Sequence, residues 1–136
     1  MTTAVAIVPR SPVTCWRVFT DPAMFPAWLP GLRKARVLST DDRGRPLEIA
    51  FEFATSRTYS LVYAYDDGQR EVRWEPQAGR RDAVRGSARF EAEGEGTRFT
   101  YELEASTPTN DRFVIDADEV VTAFVAWVVS QRPSLH

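Results

Sequence analysis

Leu47-Glu48-Ile49-Ala50-Phe51-Glu52-Phe53 sets a large apolar side chain at every odd position and a small or acidic one at every even position. A period of two marks an extended strand, because successive side chains leave a strand on opposite faces. The pattern continues downstream. Tyr59, Leu61, Tyr63 and Tyr65 share one face of the next strand, Asp66-Asp67-Gly68 supplies a turn, and Val72 and Trp74 follow at even positions. After Ala78-Gly79, residues 81–92 bring Val84, Ala88 and Phe90 to one side, and Gly94-Glu95-Gly96 closes a hairpin into Thr97, Phe99, Tyr101 and Leu103. Five consecutive strands with short links predict an antiparallel meander.

Parity also sorts the chemistry. The chain has 4 Trp, 4 Tyr and 8 Phe, and nine of these rings fall in the five strands: Phe51, Phe53, Tyr59, Tyr63, Tyr65, Trp74, Phe90, Phe99 and Tyr101. All nine sit on the apolar face of their strand. The opposite face carries Glu48, Glu52, Ser60, Glu71, Arg73, Glu75, Arg85, Ser87, Arg89, Arg98, Glu102 and Glu104. Such alternation predicts a sheet with one wet face and one covered face. None of the inward positions is charged.

Outside the meander, residues 3–8 read as a short strand rich in β-branched side chains. Ser11-Pro12 offers an N-cap and a first-turn proline for a helix through about Phe19, and Asp21-Pro22 repeats the signature for a second short helix ending near Trp28. Pro30-Gly31 forces a turn before a further strand at 32–39. Near the C-terminus, Phe113, Ala117, Val121, Phe124 and Val128 follow helical spacing. This helix starts at Asn110 or at Asp116, where Glu119 completes a capping box, and Arg132-Pro133 ends it. The expected fold is α+β: a curved antiparallel sheet of about seven strands, two short N-terminal helices, and a C-terminal helix across the concave face. The stretch Val120-Val121-Thr122-Ala123-Phe124-Val125-Ala126-Trp127-Val128-Val129 is apolar all round, which calls for burial on more than one side. It reads as a core helix flanked by the early helices, or as a homodimer face or ligand-facing lid.

Composition narrows the function. The 136 residues fit one domain over 1–136, and 43% hydrophobic residues suffice for a core. Cys15 is the only cysteine, which excludes an internal disulfide and Cys-cluster metal sites, and the only histidine is the last residue, His136, which disfavours His-dependent triads and multi-His metal sites. Net charge is −2, and basic residues alternate with acids, as in Arg70-Glu71-Val72-Arg73-Trp74-Glu75. No basic stripe for nucleic acid forms. No stretch has the form of a signal peptide, and the apolar run at 120–129 is about half the ~20 residues of a membrane span, so a cytoplasmic protein is expected. Gly94-Glu95-Gly96-Thr97 lacks the remaining residues of a phosphate loop and reads as a hairpin turn.

General acid–base chemistry would have to enter this interior from the rim, through Asp66, Asp116 or Arg57. The inward face suits an apolar ligand instead, since ligand pockets combine apolar lining with a few orienting polar atoms. Phe51, Phe53, Tyr59, Tyr63, Trp74, Phe90, Tyr101, Phe124 and Trp127 are the candidate ligand-binding residues. No catalytic residue, metal ligand or cofactor is expected. The competing reading has the same rings filling a solid core.

The order strand, two short helices, long meander and C-terminal helix resembles the helix-grip fold of the SRPBCC superfamily. That group includes START lipid-transfer domains, pollen-allergen-type proteins, polyketide cyclases/dehydrases and coenzyme Q-binding proteins. Phe19-Thr20-Asp21-Pro22-Ala23-Met24-Phe25-Pro26-Ala27-Trp28-Leu29-Pro30-Gly31 resembles its F-x-D-x-x-x-x-P-x-W segment. Tyr63-Ala64-Tyr65-Asp66, Val72-Arg73-Trp74, Gly86-Ser87-Ala88-Arg89-Phe90-Glu91 and Gly96-Thr97-Arg98-Phe99-Thr100-Tyr101 are similar to its successive strands. The resemblance implies binding or transport of a lipid, quinone or polyketide-like molecule between sheet and C-terminal helix. It also admits a cyclase/dehydrase-like enzyme. A homodimeric interaction protein using the 120–129 helix is the third reading. The iron site of the ring-hydroxylase branch needs two histidines and does not fit a chain with His136 alone.

Overall fold

A computed structural model describes residues 2–56, 58–76, 85–104 and 117–130. Seven strands form one antiparallel sheet: β1 (Thr2–Val8), β2 (Leu32–Thr40), β3 (Pro46–Phe53), β4 (Thr58–Asp66), β5 (Glu71–Pro76), β6 (Arg85–Glu93) and β7 (Gly96–Glu104). Their spatial order is β1-β7-β6-β5-β4-β3-β2. The meander expected from residues 47–105 is therefore β3 to β7, extended by β2 at one edge and β1 at the other. β1 pairs with β7 without a register break, from Thr2 opposite Leu103 to Val8 opposite Thr97.

That order explains what covers the sheet. β1 and β2 lie at opposite edges, six inter-strand steps apart, so residues 9–31 must cross roughly 29 Å at the usual strand spacing. The crossing is made by α1 (Pro12–Phe19), a 3-10 turn (Pro22–Met24) and α2 (Phe25–Trp28). The starting signals act as their chemistry suggests. Ser11 Oγ accepts from the Thr14 backbone N–H at 3.2 Å, and Asp21 Oδ1 accepts from the Ala23 N–H at 3.0 Å. Gly31 takes a left-handed φ of 77° at the turn into β2, where a Cβ would be strained.

α3 (Ala117–Ser130) packs on β1 and β7 and touches α2. Its buried side is Ala117, Val120, Val121, Phe124 and Val128, while Asp118, Glu119, Thr122, Ala126 and Val129 are exposed. So the run that is apolar all round in sequence is buried mainly along one side. Asn110, Phe113, Asp116 and the Arg132-Pro133 stop fall outside the described residues.

The inward parity holds through the sheet. Ile49, Phe51, Phe53, Leu61, Tyr63, Val72, Trp74, Ala88, Phe90, Phe99, Tyr101 and Leu103 are buried. Ala92 shares the parity but is exposed, close to the Gly94 turn. At the core centre Phe90 stacks on Phe99 at 4.8 Å, and Phe124 packs on Phe99 at 4.9 Å. At one rim, Arg45 bonds Asp41 at 3.2 Å and Asp67 at 2.7 Å while its guanidinium lies 4.7 Å over the Tyr65 ring. This network ties the β2–β3 turn to the β4–β5 turn.

Candidate functional site

A cavity of about 40 Å³ lies between the crossing segment and the sheet. The segment contributes Phe19, Phe25, Trp28 and Leu29. The sheet contributes Phe51 from β3, Tyr59, Leu61 and Tyr63 from β4, Trp74 from β5, and Tyr101 and Leu103 from β7. No charged side chain is among them. β6 supplies nothing to this wall, because Gly86 pairs directly with Trp74 and the indole lies against it. The volume suits water rather than a drug-sized ligand, whose pocket is typically ≈ 300–1,000 Å³. The rings mostly fill the space themselves. Phe19 alone approaches Trp28, Trp74, Phe90, Phe99, Tyr101 and Phe124, at centroid separations of 5.2 to 6.3 Å.

The polar atoms in this wall are few and neutral. Burial pushes the Tyr63 and Tyr101 phenols far above their ordinary pKa, with neighbouring phenols adding to the effect. Both therefore remain protonated donors at neutral pH. Neither hydroxyl bonds to a protein group among the described residues, whereas the Tyr65 hydroxyl donates to the Pro46 carbonyl at 2.7 Å. Trp28 Nε1 is buried with no acceptor among the described residues. Cys15 is fully buried on the inner side of α1, and burial pushes its thiol pKa up despite a contact with Thr97. That is the setting of a structural thiol rather than a nucleophile.

Of the nine residues nominated from sequence, Phe51, Tyr59, Tyr63, Trp74 and Tyr101 line the cavity. Phe53 packs on Tyr59 at 5.4 Å and Phe90 on Phe99, both outside the lining. Phe124 is fully buried behind Trp28, 5.0 Å away, and Trp127 is half-buried on α3. The helical wall of this cavity thus comes from α1 and α2, not from α3, because the crossing segment comes between. The sequence places Phe19, Phe25 and Trp28 in the early helices, but nothing in it marks them or Leu29 as lining. Only the strand order reveals where they cross. Asp66 is exposed, its Oδ1 accepting from the Gln69 N–H at 3.2 Å, and is not part of the lining. Arg57 and Asp116 lie outside the described residues.

A larger depression, about 350 Å³, lies on the polar face among Glu71, Arg73, Glu75, Arg85, Ser87, Glu102 and Glu104. Its charges pair with one another, Arg73 with Glu71 and Arg85 with Glu75, each at 3.5 Å. It offers little apolar burial. Among the described residues, no group of three or more His, Cys, Asp or Glu side chains could hold a metal ion. Among the described residues, no helix is long and apolar enough to cross a membrane.

A curved antiparallel sheet gripping helices over an uncharged aromatic interior defines a helix-grip protein. The chain belongs to the family described as polyketide cyclase/dehydrase and lipid transport, whose sequence profile matches residues 2–132. No curated protein matches it in sequence. Among solved structures it is similar to the protein TTHA0849 from Thermus thermophilus, with a TM-score of 0.72, 18% identity, and coverage of 94% of this chain and 96% of that one. A STAR-related lipid transfer protein from Xanthomonas axonopodis aligns with a TM-score of 0.67 at 16% identity, covering 93% of this chain and 84% of that one. The di-domain ARO/CYC StfQ from the steffimycin biosynthetic pathway gives 0.68 at 16% identity, covering 94% of this chain and 43% of that one. At these identities the likeness is one of fold.

Proposed function

We propose that this protein binds and carries a hydrophobic small molecule, of lipid, quinone or polyketide-like character, seated between the sheet and the α1–α2 segment. The observation that carries the reading is that the described lining is uncharged: aromatic and leucine side chains surround a small cavity, with phenols and indoles as their polar groups. The rings supply burial, and Tyr63, Tyr101 and Trp74 orient the ligand's polar atoms. At about 40 Å³ the space must widen as the ligand enters. The helical wall is the part suited to move, since α2 is only four residues long and Leu29 beside it is half-buried. Extraction of purified protein with solvent, followed by mass spectrometry and titration with quinones and lipids, tests this. Co-purification or saturable binding is expected; no binding at high ligand concentration overturns it.

A second reading is favoured by the family description and by the likeness to an ARO/CYC protein: a cyclase-like enzyme that folds a reactive chain in the pocket. Holding the chain in a reactive conformation would then do most of the work. It predicts that replacing Arg57 or Asp116 abolishes turnover while ligand binding persists, and unchanged turnover counts against it.

A further inference from the structure

We propose that the ligand presents a neutral hydrogen-bond acceptor, a ketone or quinone oxygen, to the Trp28 indole N–H, and that carboxylates are excluded from this cavity. The inference rests on the hydrophobic-ligand reading above. Trp28 is 5% exposed and lines the cavity, and its Nε1–H has no acceptor among the described residues. The rings of Phe124, Phe19 and Phe25 surround it, with centroids 5.0, 5.2 and 5.6 Å away. Indole N–H is a donor only, and buried Trp usually finds a partner for it. A donor left unpaired in an apolar interior is costly, so an acceptor supplied by a ligand gains more here than at a surface.

The rest of the wall fixes the charge of that acceptor. The hydroxyls of Tyr63 and Tyr101 are free of protein hydrogen bonds among the described residues and stand as further neutral donors. Among the described residues, no lining side chain is a cation. A carboxylate entering this space would lose its hydration without gaining a counter-charge, which a low-dielectric interior penalises heavily. A carbonyl oxygen loses little hydration and meets donors already in place. Neighbouring rings bury the N–H, so the widening needed for entry is also what exposes it.

Three probes of nearly one shape separate these terms: 2-acetylnaphthalene, its alkene isostere 2-isopropenylnaphthalene, and 2-naphthoate. Affinities are measured by fluorescence titration at neutral pH for the wild type and Trp28→Phe, and indole N–H resonances are followed in ¹⁵N-labelled wild type. The ketone is expected to bind about tenfold tighter than the alkene, a difference of one buried hydrogen bond, and tenfold or more tighter than naphthoate. In Trp28→Phe the ketone's advantage over the alkene disappears. The Trp28 indole proton moves downfield with the ketone and stays in place with the alkene. Should Trp28→Phe fail to fold, the wild-type affinity ratios and the resonance shifts decide alone. Equal binding of ketone and alkene, or naphthoate binding as tightly as the ketone, overturns the proposal but leaves the hydrophobic-ligand reading standing. Failure of all three probes to bind also overturns the proposal, while the lipid and quinone titrations decide the hydrophobic-ligand reading.

Discussion

Replacing Gly86 with alanine tests how tightly the aromatic wall is assembled. A Cβ at position 86 would lie 2.6 Å from the Glu102 carbonyl oxygen and 2.7 and 2.8 Å from Cζ2 and Cε2 of Trp74. Relief to an ordinary separation of about 3.5 Å needs shifts on the order of 0.7–0.9 Å. Neither neighbour yields easily. Glu102 belongs to β7, which is paired on both sides by β1 and β6. Trp74 is 4% exposed, with Tyr101 at 5.5 Å, Tyr63 at 5.9 Å and Phe19 at 6.0 Å. Overpacking of this kind costs about 1–3 kcal/mol, and the upper part of that range applies where backbone must move. Alanine restores about 0.4–1 kcal/mol by restricting the unfolded chain. The net loss is about 2 kcal/mol, equivalent to a Tm decrease on the order of 6–10 °C for a chain of this length. Urea unfolding followed by circular dichroism and tryptophan fluorescence measures it. Gly44→Ala is the control: φ is +80° there and nothing lies within 4 Å of the added Cβ, so it loses stability through backbone strain alone. Gly86→Ala should also change the native tryptophan emission and weaken ligand binding, because Trp74 can retreat only toward the cavity; Gly44→Ala should do neither. A Gly86→Ala protein as stable as the wild type refutes the packing argument.

Phe124→Ala should cost about 3–5 kcal/mol, since its ring is fully buried among Phe19, Trp28, Phe90 and Phe99. A denaturant midpoint shift worth under ~1 kcal/mol would contradict the docking of α3 against the sheet. At high pH, Tyr65 should ionise at about 12, raised mainly by burial and countered in part by Arg45. Its ordinary pKa is ≈ 10, so its contribution to stability is complete below pH ~10 and is lost as pH rises from there through ~12. Tyr63 and Tyr101 act in the same direction, and their phenolate absorbance should appear only as the chain unfolds. Ultraviolet titration of wild type and Tyr65→Phe checks this, and phenolate from all these tyrosines near pH ~10 in the folded protein would count against it. Cys15, fully buried and with its thiol pKa raised by burial, should react with a thiol reagent only on unfolding. Rapid modification of the native protein would show that α1 opens.

The sheet was the most legible part because its signal is local. Alternation in Leu47 to Phe53 and in its neighbours follows from backbone geometry, whatever the rest of the chain does. Ser11 and Asp21 likewise announce their helix starts through bonds to backbone N–H groups two or three residues on. The site was half legible. Phe51 and Tyr63 line the cavity and Phe53 and Phe90 do not, although all four share the inward parity. Parity states which face a ring leaves from, but not what it meets there.

The amino-acid sequence by itself determined a two-faced antiparallel sheet with an uncharged aromatic interior, since alternation and residue type are properties of each strand alone. Only the tertiary structure decided that the crossing segment, and not α3, walls the cavity, that Phe124 belongs to the core, and that the rings close the space to about 40 Å³. These outcomes depend on β1 pairing with β7 at one edge while β2 takes the other. They depend equally on how large side chains from distant positions share one volume, a collective property that no local pattern encodes.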